Sequence, residues 1–178
     1  MLNVLSLDEA LEKMNNLCRM QVLPAETAPF GQSLGRILAK DVVCTENVPG
    51  FTRSTVDGYA VVASDTFGAS EAMPALLRLA GEVQMGESPD FEIRPGECAA
   101  VPTGGELPRG ADAMVMLEQT EPFAGQMIAI EASGAPGRHL IFAGDDAKAG
   151  STIVPAGKKL LPQDIGVLAA LGVVEVSV

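Results

Sequence analysis

Apolar side chains recur every three or four residues near the start of the chain, which is the spacing of a helix with one apolar stripe. Ser6 and Glu9 stand just before this stripe at the spacing of a capping box, in which each side chain satisfies the other's backbone amide. A helix is therefore predicted over residues 6–17. Its stripe consists of Leu7, Ala10, Leu11, Met14 and Leu17.

The end of the chain carries a second helical pattern. Pro162 suits the first turn of a helix with its body at 163–171, and Gly172 suits its C-terminal end. A shorter helix is predicted over 30–38. An apolar strand, 173–178, then runs to the last residue. Because a protein rarely ends on an apolar strand, we expect the chain to be part of a longer protein.

Between these ends the apolar positions alternate with polar ones, as in half-buried strands. Short strands separated by Gly- and Pro-rich turns at near-regular spacing predict a compact β barrel or sandwich. A short strand at 41–44 precedes this region and a hairpin at 149–157 follows it. The strand candidates are 60–63, 75–83, 97–101, 113–117 and 127–130.

The change of periodicity predicts two domains and the fold class α+β, largely β. Residues 1–47 and 146–178 are expected to form an elongated frame of helices and short strands, and residues 48–145 an inserted, barrel-like lobe. The frame helices and an unpaired last strand leave more apolar surface than a thin frame can bury, so we expect a homodimer. The apolar helix positions are Leu7, Leu11, Met14, Ile165, Leu168 and Leu171.

Composition and charge narrow the class of protein. The net charge of −11 argues against a nucleic-acid surface, which needs a basic footprint. No apolar run is long enough for a membrane span, and the first residues lack the features of a signal peptide. The three cysteines, Cys18, Cys44 and Cys98, are widely spaced and odd in number, which indicates free thiols and a cytoplasmic location.

The densest group of reactive side chains is the loop 53–59, which follows the turn at Pro49-Gly50 and leads into a strand. It contains two hydroxyls, an arginine, a carboxylate and the only tyrosine of the chain. Loops on a rigid scaffold often hold functional groups. The alternative interpretation is an ordinary Asx or Ser/Thr turn formed by Asp57 and Gly58.

Four blocks along the chain resemble motifs of one family. The segment Ser54-Thr55-Val56-Asp57-Gly58-Tyr59-Ala60-Val61 resembles the S-[TA]-[MV]-D-G-Y-A-[VL] signature of the molybdopterin molybdenumtransferases, the MoeA and gephyrin E-domain family. The blocks at 100–116, 144–150 and 160–172 are similar to the family's "TG…GADAVVM", "GEDV-x-x-G" and pre-third-domain helix blocks. Four blocks in the right order make a specific match that covers essentially the whole chain.

The resemblance implies a function. The family inserts molybdate into adenylylated molybdopterin and releases AMP, with Mg²⁺ assisting, and its members are dimers. The matched region corresponds to two of four domains. The third, a doubly wound α/β domain that holds the pterin phosphate, would begin just after Val178.

The resemblance also implies site residues. Asp57, Thr103 and Asp146 match positions important for activity, and Asp57, Asp146 and the weaker candidate Glu118 could supply oxygen ligands to Mg²⁺. Thr103 with the following glycines is expected to cradle an oxyanion through its hydroxyl and accessible amides. For Thr103 and Asp146, an ordinary turn and a solvated loop acid are the alternatives. The expected substrate- or cofactor-binding positions are Ser54, Thr55, Gly104 and Gly105.

The chain departs from the family pattern where cations matter. Ala100 and Val62 stand where the family often has arginine, and only Arg138, beside the single histidine His139, lies near the "GED" block. Lost guanidinium groups mean lost bidentate contacts to phosphate or molybdate. A second hypothesis is therefore a non-catalytic, degenerate dimerisation or interaction module of the same fold.

Overall fold

The computed structural model describes residues 5–17 and 23–178, and these residues pack into two compact units. The first unit consists of the described residues of 1–42 together with 154–178, and the second of 43–153. The sequence placed the domain boundaries at 47/48 and 145/146. Cys18 lies outside the described residues.

Two α-helices and twelve short strands are formed by the described residues. In chain order they are α1 (Leu7–Leu17), β1 (Thr27–Pro29), β2 (Val42–Val43), β3 (Arg53–Ser54), β4 (Gly58–Val61), β5 (Ala75–Glu82), β6 (Glu97–Val101), β7 (Ala113–Met116), β8 (Thr120–Pro122), β9 (Met127–Ile130), β10 (Leu140–Ile141), β11 (Thr152–Val154), α2 (Pro162–Ala170) and β12 (Glu175–Ser177). Neither helix has the length and apolar character needed to cross a bilayer, within the part of the chain that is described.

The helix predicted at the start of the chain is confirmed, together with its capping box. The Ser6 amide donates to Glu9 Oε2 at 2.8 Å, and the Glu9 amide donates to Ser6 Oγ at 3.3 Å. The bond from the Ser6 amide, and a second bond that the Ser6 hydroxyl donates to Glu9 Oε2 at 2.8 Å, hold the pKa of the Glu9 carboxyl below its usual value. The α1 side chains Leu7, Met14 and Leu17 are all more than half exposed.

The second helix is also confirmed, but the last strand is paired. Asp164 accepts from Lys158 Nζ at 2.6 Å and from the Leu161 amide at 2.9 Å, and these bonds lower the pKa of its carboxyl group. Beyond the helix, β12 runs antiparallel to β1, with Val176 opposite Ala28 and both buried. The prediction of an unpaired terminal strand is therefore wrong, because a short segment far away in sequence supplies its partner.

The helix predicted over 30–38 is wrong. Only a 3-10 turn, Phe30–Gln32, forms there, and Ser33 Oγ closes it by donating to the Phe30 carbonyl at 2.6 Å. Gly35 then adopts φ +79°, a left-handed conformation that ends any helix and that glycine adopts without steric cost. Local turn chemistry thus outweighs the apolar spacing in this segment.

A six-stranded sheet forms the body of the second unit and curls into a half-barrel, as the predicted fold class requires. The strand order is β7-β4-β6-β5-β9-β8, with β5 and β6 parallel and the other neighbours antiparallel. The five strand candidates of this region all form, although the one at 60–63 begins at Gly58 and ends at Val61. Each face of the sheet buries its own apolar cluster, one around Val61 and Ile130 and the other around Val101 and Met114.

The hairpin predicted at 149–157 does not form as a local structure. The Cys44 amide donates to the Ser151 carbonyl at 2.9 Å, and the Gly150 amide donates to the Cys44 carbonyl at 2.8 Å. The segment therefore pairs with residues more than a hundred positions earlier. Periodicity alone does not reveal such a non-local partner.

Gly58 allows β4 to come unusually close to the edge strand β7. A Cβ atom at this position would lie 2.0 Å from the Val115 carbonyl oxygen of β7, a distance at which the backbone must move. In the observed register, Gly58 faces Met116 on one side and Val101 on the other. Only glycine fits here, so this part of the signature is required by the fold itself.

We expect Gly58→Ala to destabilise the second unit by at least about 2 kcal/mol, because the added methyl overlaps a carbonyl that belongs to a neighbouring strand. Urea unfolding followed by circular dichroism measures the change. The matched control is Gly50→Ala, whose Cβ would meet only one atom, at 3.9 Å, and which should change stability by less than about 0.5 kcal/mol. Equal effects of the two substitutions would contradict the close-packing argument.

Candidate functional site

Backbone hydrogen bonds join the signature loop to the turn at 102–105. The Ser54 amide donates to the Gly105 carbonyl at 3.0 Å, and the Gly104 amide donates to the Ser54 carbonyl at 2.8 Å. The buried Ser54 hydroxyl donates to the Val56 carbonyl and accepts from the Val56 amide, so it shapes the loop from within. Thr55 is exposed, and its amide donates to the His139 carbonyl at 2.9 Å.

Asp57 and Thr103 form the central pair of the site. The Thr103 amide donates to Asp57 Oδ1 at 2.7 Å, and the Thr103 hydroxyl donates to the same oxygen at 2.9 Å. The bond from the Thr103 amide and, to a smaller extent, the bond from its hydroxyl hold the pKa of the Asp57 carboxyl below its usual value. Both residues are exposed and the carboxylate is ionised at neutral pH, and both bonds from Thr103 go to Oδ1, not to Oδ2.

The turn does not offer the free amides that the sequence suggested. The Thr103 amide is bound to Asp57, the Gly104 amide to Ser54, and the Gly105 amide to the Pro102 carbonyl at 2.9 Å. The three donors build the turn, so these amides are not free for an oxyanion, and the binding role of Thr103, Gly104 and Gly105 remains a prediction. Gly104 has φ +82°, and a Cβ on Gly105 would lie 2.9 Å from the Pro102 carbonyl oxygen, so the turn requires both glycines.

Asp146 and Glu118 lie in other loops. Asp146 is exposed, and its amide donates to the Val48 carbonyl at 2.9 Å. Glu118 is exposed in a 3-10 turn, Leu117–Gln119. The Leu117 amide of this turn donates to the Asp57 carbonyl at 2.9 Å. Within residues 5–17 and 23–178, no three acidic, histidine or cysteine side chains gather into a metal-binding group. The structure thus brings Asp57 and Thr103 together without joining Asp146 to them by a hydrogen bond.

A cleft of about 380 Å³ opens beside Asp57, a volume in the range of small-molecule sites. Its lining includes two carboxylates, Asp57 and Glu82, and no lysine or arginine. Sequence analysis missed Glu82, which is the last residue of β5, and Gln84 and Met85, which follow the strand. The one signal that could have identified them is the end of an alternating strand, where a polar residue breaks the pattern. The full lining is Asp57, Gly58, Tyr59, Glu82, Val83, Gln84, Met85, Ala100, Val101, Pro102 and Leu117.

Neither Arg138 nor Cys98 is available for chemistry in this unit. Arg138 Nη1 donates to the Ser133 carbonyl at 2.8 Å, and its Nε donates to His139 Nε2 at 3.1 Å. Cys98 is fully buried in the sheet, and burial raises the pKa of its thiol to about 12, so it is not a nucleophile. The charged groups at the cleft are therefore its two carboxylates, and Tyr59 and Gln84 supply its neutral polar side chains.

Comparison with known proteins supports the sequence resemblance. The family model that matches describes the MoeA N-terminal region (domain I and II), and it matches residues 5–172. The chain is 36% identical over 152 residues to molybdopterin molybdenumtransferase 2 of Mycobacterium tuberculosis, covering 85% of this chain and 37% of that protein. It is 31% identical over 176 residues to the molybdopterin molybdenumtransferase of Staphylococcus aureus, covering 99% of this chain and 41% of that protein.

A solved structure has the same fold. The crystal structure of the molybdopterin biosynthesis MoeA protein from Pyrococcus horikoshii superposes with a TM-score of 0.82 and 38% identity. The match covers 99% of this chain and 44% of that one. The chain thus spans about two fifths of the length of the curated relatives it matches.

We expect the Asp57 carboxyl to titrate at a pH below the ordinary aspartate value of about 3.9, because two donors stabilise its ionised form. Thr103→Val removes the hydroxyl bond and keeps the amide bond, so the pKa of Asp57 should rise part of the way toward that ordinary value. Carbon-detected NMR titration of the side-chain carboxyl group measures both. Asp164, whose pKa is lowered by its own bonds from Lys158 and the Leu161 amide, serves as the internal control, and Thr103→Val should leave that pKa unchanged. An Asp57 pKa that is the same in both proteins would show that the hydroxyl bond is absent in solution.

Proposed function

Because this chain belongs to the family of MoeA N-terminal regions that comprise domains I and II, we propose that it forms the N-terminal part of a molybdenum insertase in molybdenum cofactor biosynthesis. The proposed reaction of the parent protein inserts molybdate into adenylylated molybdopterin and releases AMP. The observation that carries the proposal is the Asp57–Thr103 pair, whose acid lines a cleft inside the region that the family model matches.

The lowered pKa of Asp57 indicates the kind of role it has. A general base works best when its pKa lies near the operating pH, so a carboxyl group with a lowered pKa is a weak base at neutrality. Thr103 occupies Oδ1 with two bonds, which fixes the carboxylate plane and leaves Oδ2 as the acceptor. We assign Asp57 to holding a donor or cationic part of the substrate in place, and Thr103 to positioning Asp57.

Mg²⁺ fits only part of this arrangement. Magnesium is usually held by one or two carboxylates together with substrate phosphates and water. Asp57 Oδ2 suits one such ligand position, whereas Asp146 and Glu118 form no metal-binding group with it among the described residues. When bound, the ion would neutralise charge on the phosphoanhydride of the substrate. The role proposed for Asp57 and Thr103 does not depend on a cation site built from this chain alone.

One observation favours the second hypothesis, a non-catalytic interaction module. Ala100 lines the cleft at a position where the family resemblance places arginine, and Arg138 is held by Ser133 and His139. An anionic substrate therefore meets no guanidinium group among the residues that line the cleft. The activity measurements below distinguish the two hypotheses.

A homodimer and a cytoplasmic location complete the proposal. Cys44 and Cys98 are free and buried, which suits a reducing compartment. The apolar side of α1 supports self-association, since its leucines and Met14 are exposed to solvent in the described part of the chain. The contribution that the sequence expected from the last strand and from Leu168 is withdrawn, because the strand is paired and Leu168 is fully buried.

We expect the purified chain to release no AMP from adenylylated molybdopterin by itself, and to do so when mixed with the remaining C-terminal part of the Staphylococcus aureus relative, molybdate and Mg²⁺. In that mixture, Asp57→Asn should lower the rate at least about 10²-fold, because a preorganised charge at a reacting site contributes on that scale. Chromatographic measurement of AMP gives the rates.

The matched control is Asp65→Asn. Asp65 also accepts a backbone amide, that of Gly96 at 2.6 Å, but it lies outside the cleft lining, so the rate should change by less than about twofold. If the mixture shows no AMP release above that of the C-terminal part alone, the interaction-module hypothesis replaces the proposal. If Asp57→Asn has no more effect than Asp65→Asn, the role of Asp57 is refuted.

Light scattering should give a mass near twice the 18.4 kDa of the chain. Leu11→Asp places a charge on the apolar side of α1 and should shift the mass to that of the monomer, because burying an unpaired charge at an interface is costly. Phe67→Asp introduces the same charge at an exposed apolar position of the second unit and should leave the dimer intact. A monomeric parent chain, or dissociation by both substitutions alike, would refute dimerisation through α1.

A further inference from the structure

The cleft beside Asp57 carries negative charge that no cation of its own lining neutralises. Its two carboxylates belong to Asp57 and Glu82, and no lysine or arginine lines it. Glu82 takes part in no salt bridge among the described residues. Thr103 donates to only one oxygen of Asp57, Oδ1. The cleft therefore offers carboxylate oxygens to a ligand.

Tyr59 is a neighbour of both acids on one face of the sheet. Tyr59 of β4 pairs with Ala100 of β6, and Ala100 pairs with Glu82 of β5. Directly paired residues project from the same face, so the Ala100 methyl group lies between the tyrosine and the carboxylate. The bond from the Leu117 amide to the Asp57 carbonyl continues the pairing of β4 with β7. Asp57, two residues before Tyr59, therefore projects from the same face.

A bulge in β5 brings Glu82 into this position. In the register of β5 and β6, Leu79 is paired with Cys98. The next pair is Gly81 with Ala99, so β5 contains one extra residue. A bulge re-aims the side chains that follow it. The Glu82 carboxylate thus reaches the cleft because of a local irregularity in the strand.

The neutral polar groups of the cleft also suit a positively charged ligand. Burial raises the pKa of the Tyr59 phenol, and the nearby Cys98 and Glu82 raise it further, so the ring is uncharged at neutral pH. The face of a neutral tyrosine ring attracts a cation through its quadrupole. Gln84 adds an amide oxygen as a further acceptor.

An organic cation fits this cleft better than a metal ion does. Magnesium requires octahedral oxygen ligands, whereas no three acidic, histidine or cysteine side chains gather within residues 5–17 and 23–178. The remaining walls are largely apolar, and an aliphatic stem buries its methylene groups against such walls while its charged head reaches polar groups. The apolar lining includes Ala100, Val101, Pro102 and Leu117.

We propose that the cleft binds an arginine side chain of a partner polypeptide. Its guanidinium group lies over Ala100, donates to the Glu82 carboxylate and stacks on Tyr59, and Asp57 contributes a second negative charge. A planar guanidinium matches a carboxylate with two parallel N–H donors and stacks on aromatic rings, which an ammonium group does not. The net charge of −11 attracts basic segments of a partner to this chain. Such a partner goes beyond the proposed function, because its binding requires no molybdenum chemistry.

NMR titration of the isotope-labelled chain with a capped peptide, one arginine between glycines, tests the proposal. The backbone amide signals of Tyr59, Glu82 and Ala100 report on the cleft. The peptide should bind at least about tenfold more tightly than the same peptide with citrulline, the uncharged isostere of arginine, because a charge-assisted pair is lost with citrulline. A peptide with lysine in place of arginine should bind more weakly as well, since it lacks the bidentate geometry.

Two variants locate the bound cation. Glu82→Gln keeps the shape of an exposed side chain and should weaken binding of the arginine peptide about tenfold or more. Ala100→Arg supplies a guanidinium group from the floor of the cleft and should abolish binding. The matched control is Glu121→Gln, an exposed acid on the edge strand β8, which should change the affinity by less than about twofold. Circular dichroism verifies folding, and Glu82→Gln decides alone if Ala100→Arg does not fold.

The competing occupants predict different results. Citrulline binding as tight as arginine binding would overturn the choice of a cation, and lysine binding as tight would overturn the choice of a guanidinium group. Methylguanidinium that binds as tightly as the peptide would show a site for a small free cation instead of a polypeptide. Displacement of the peptide by an equimolar amount of Mg²⁺ would show a metal site. Binding of the arginine peptide that Glu82→Gln leaves unchanged would place the cation elsewhere on the acidic surface.

Discussion

The close approach of β4 to β7 at Gly58 is the constraint on which the rest of the site depends. A side chain there would overlap the Val115 carbonyl, so the two strands reach their observed register only with glycine. In that register the Leu117 amide donates to the Asp57 carbonyl. Asp57 lies directly before the first residue of β4, where its carboxylate accepts from the Thr103 amide. The position of the acid is therefore fixed by packing in the core of the second unit.

The turn at 102–105 shows how one set of residues serves both folding and chemistry. Its amides and its hydroxyl donate hydrogen bonds to Asp57, Ser54 and Pro102, so none of these donors is left for an anion. The charged groups that remain at the cleft are the carboxylates of Asp57 and Glu82. Such a site selects ligand groups that donate hydrogen bonds or carry positive charge, and molybdate would need a cation from outside this set of residues.

Local signals in the sequence predicted those parts of the fold that local interactions determine. The capping box of Ser6 and Glu9 forms, α2 begins at the predicted proline, and the alternating segments form the strands of the half-barrel. The failures come from non-local partners. Strand β12 pairs with β1, and residues 150–151 pair with Cys44, across gaps that no periodicity reveals. The prediction of a short helix at 30–38 was wrong because Gly35 adopts a left-handed conformation.

The candidate site divides in the same way. The family motifs identified Asp57 and Thr103, and the structure joins them. Glu82 carries no motif, because its place beside Tyr59 comes from the register of three strands and a bulge. The metal-binding role given to Asp146 and Glu118 remains a prediction, since nothing in a loop sequence states how far its acid lies from another loop.

A double-mutant cycle on Asp57 and Thr103 tests most directly whether the two residues act as one unit. The rates of AMP release are compared for Asp57→Asn, Thr103→Val and the double variant in the mixture with the C-terminal part of the relative. If Thr103 acts only by positioning Asp57, adding Thr103→Val to Asp57→Asn should lower the rate no further. Losses that multiply, so that the double variant is slower by the product of the two single effects, would show that the residues act independently and would contradict the central claim.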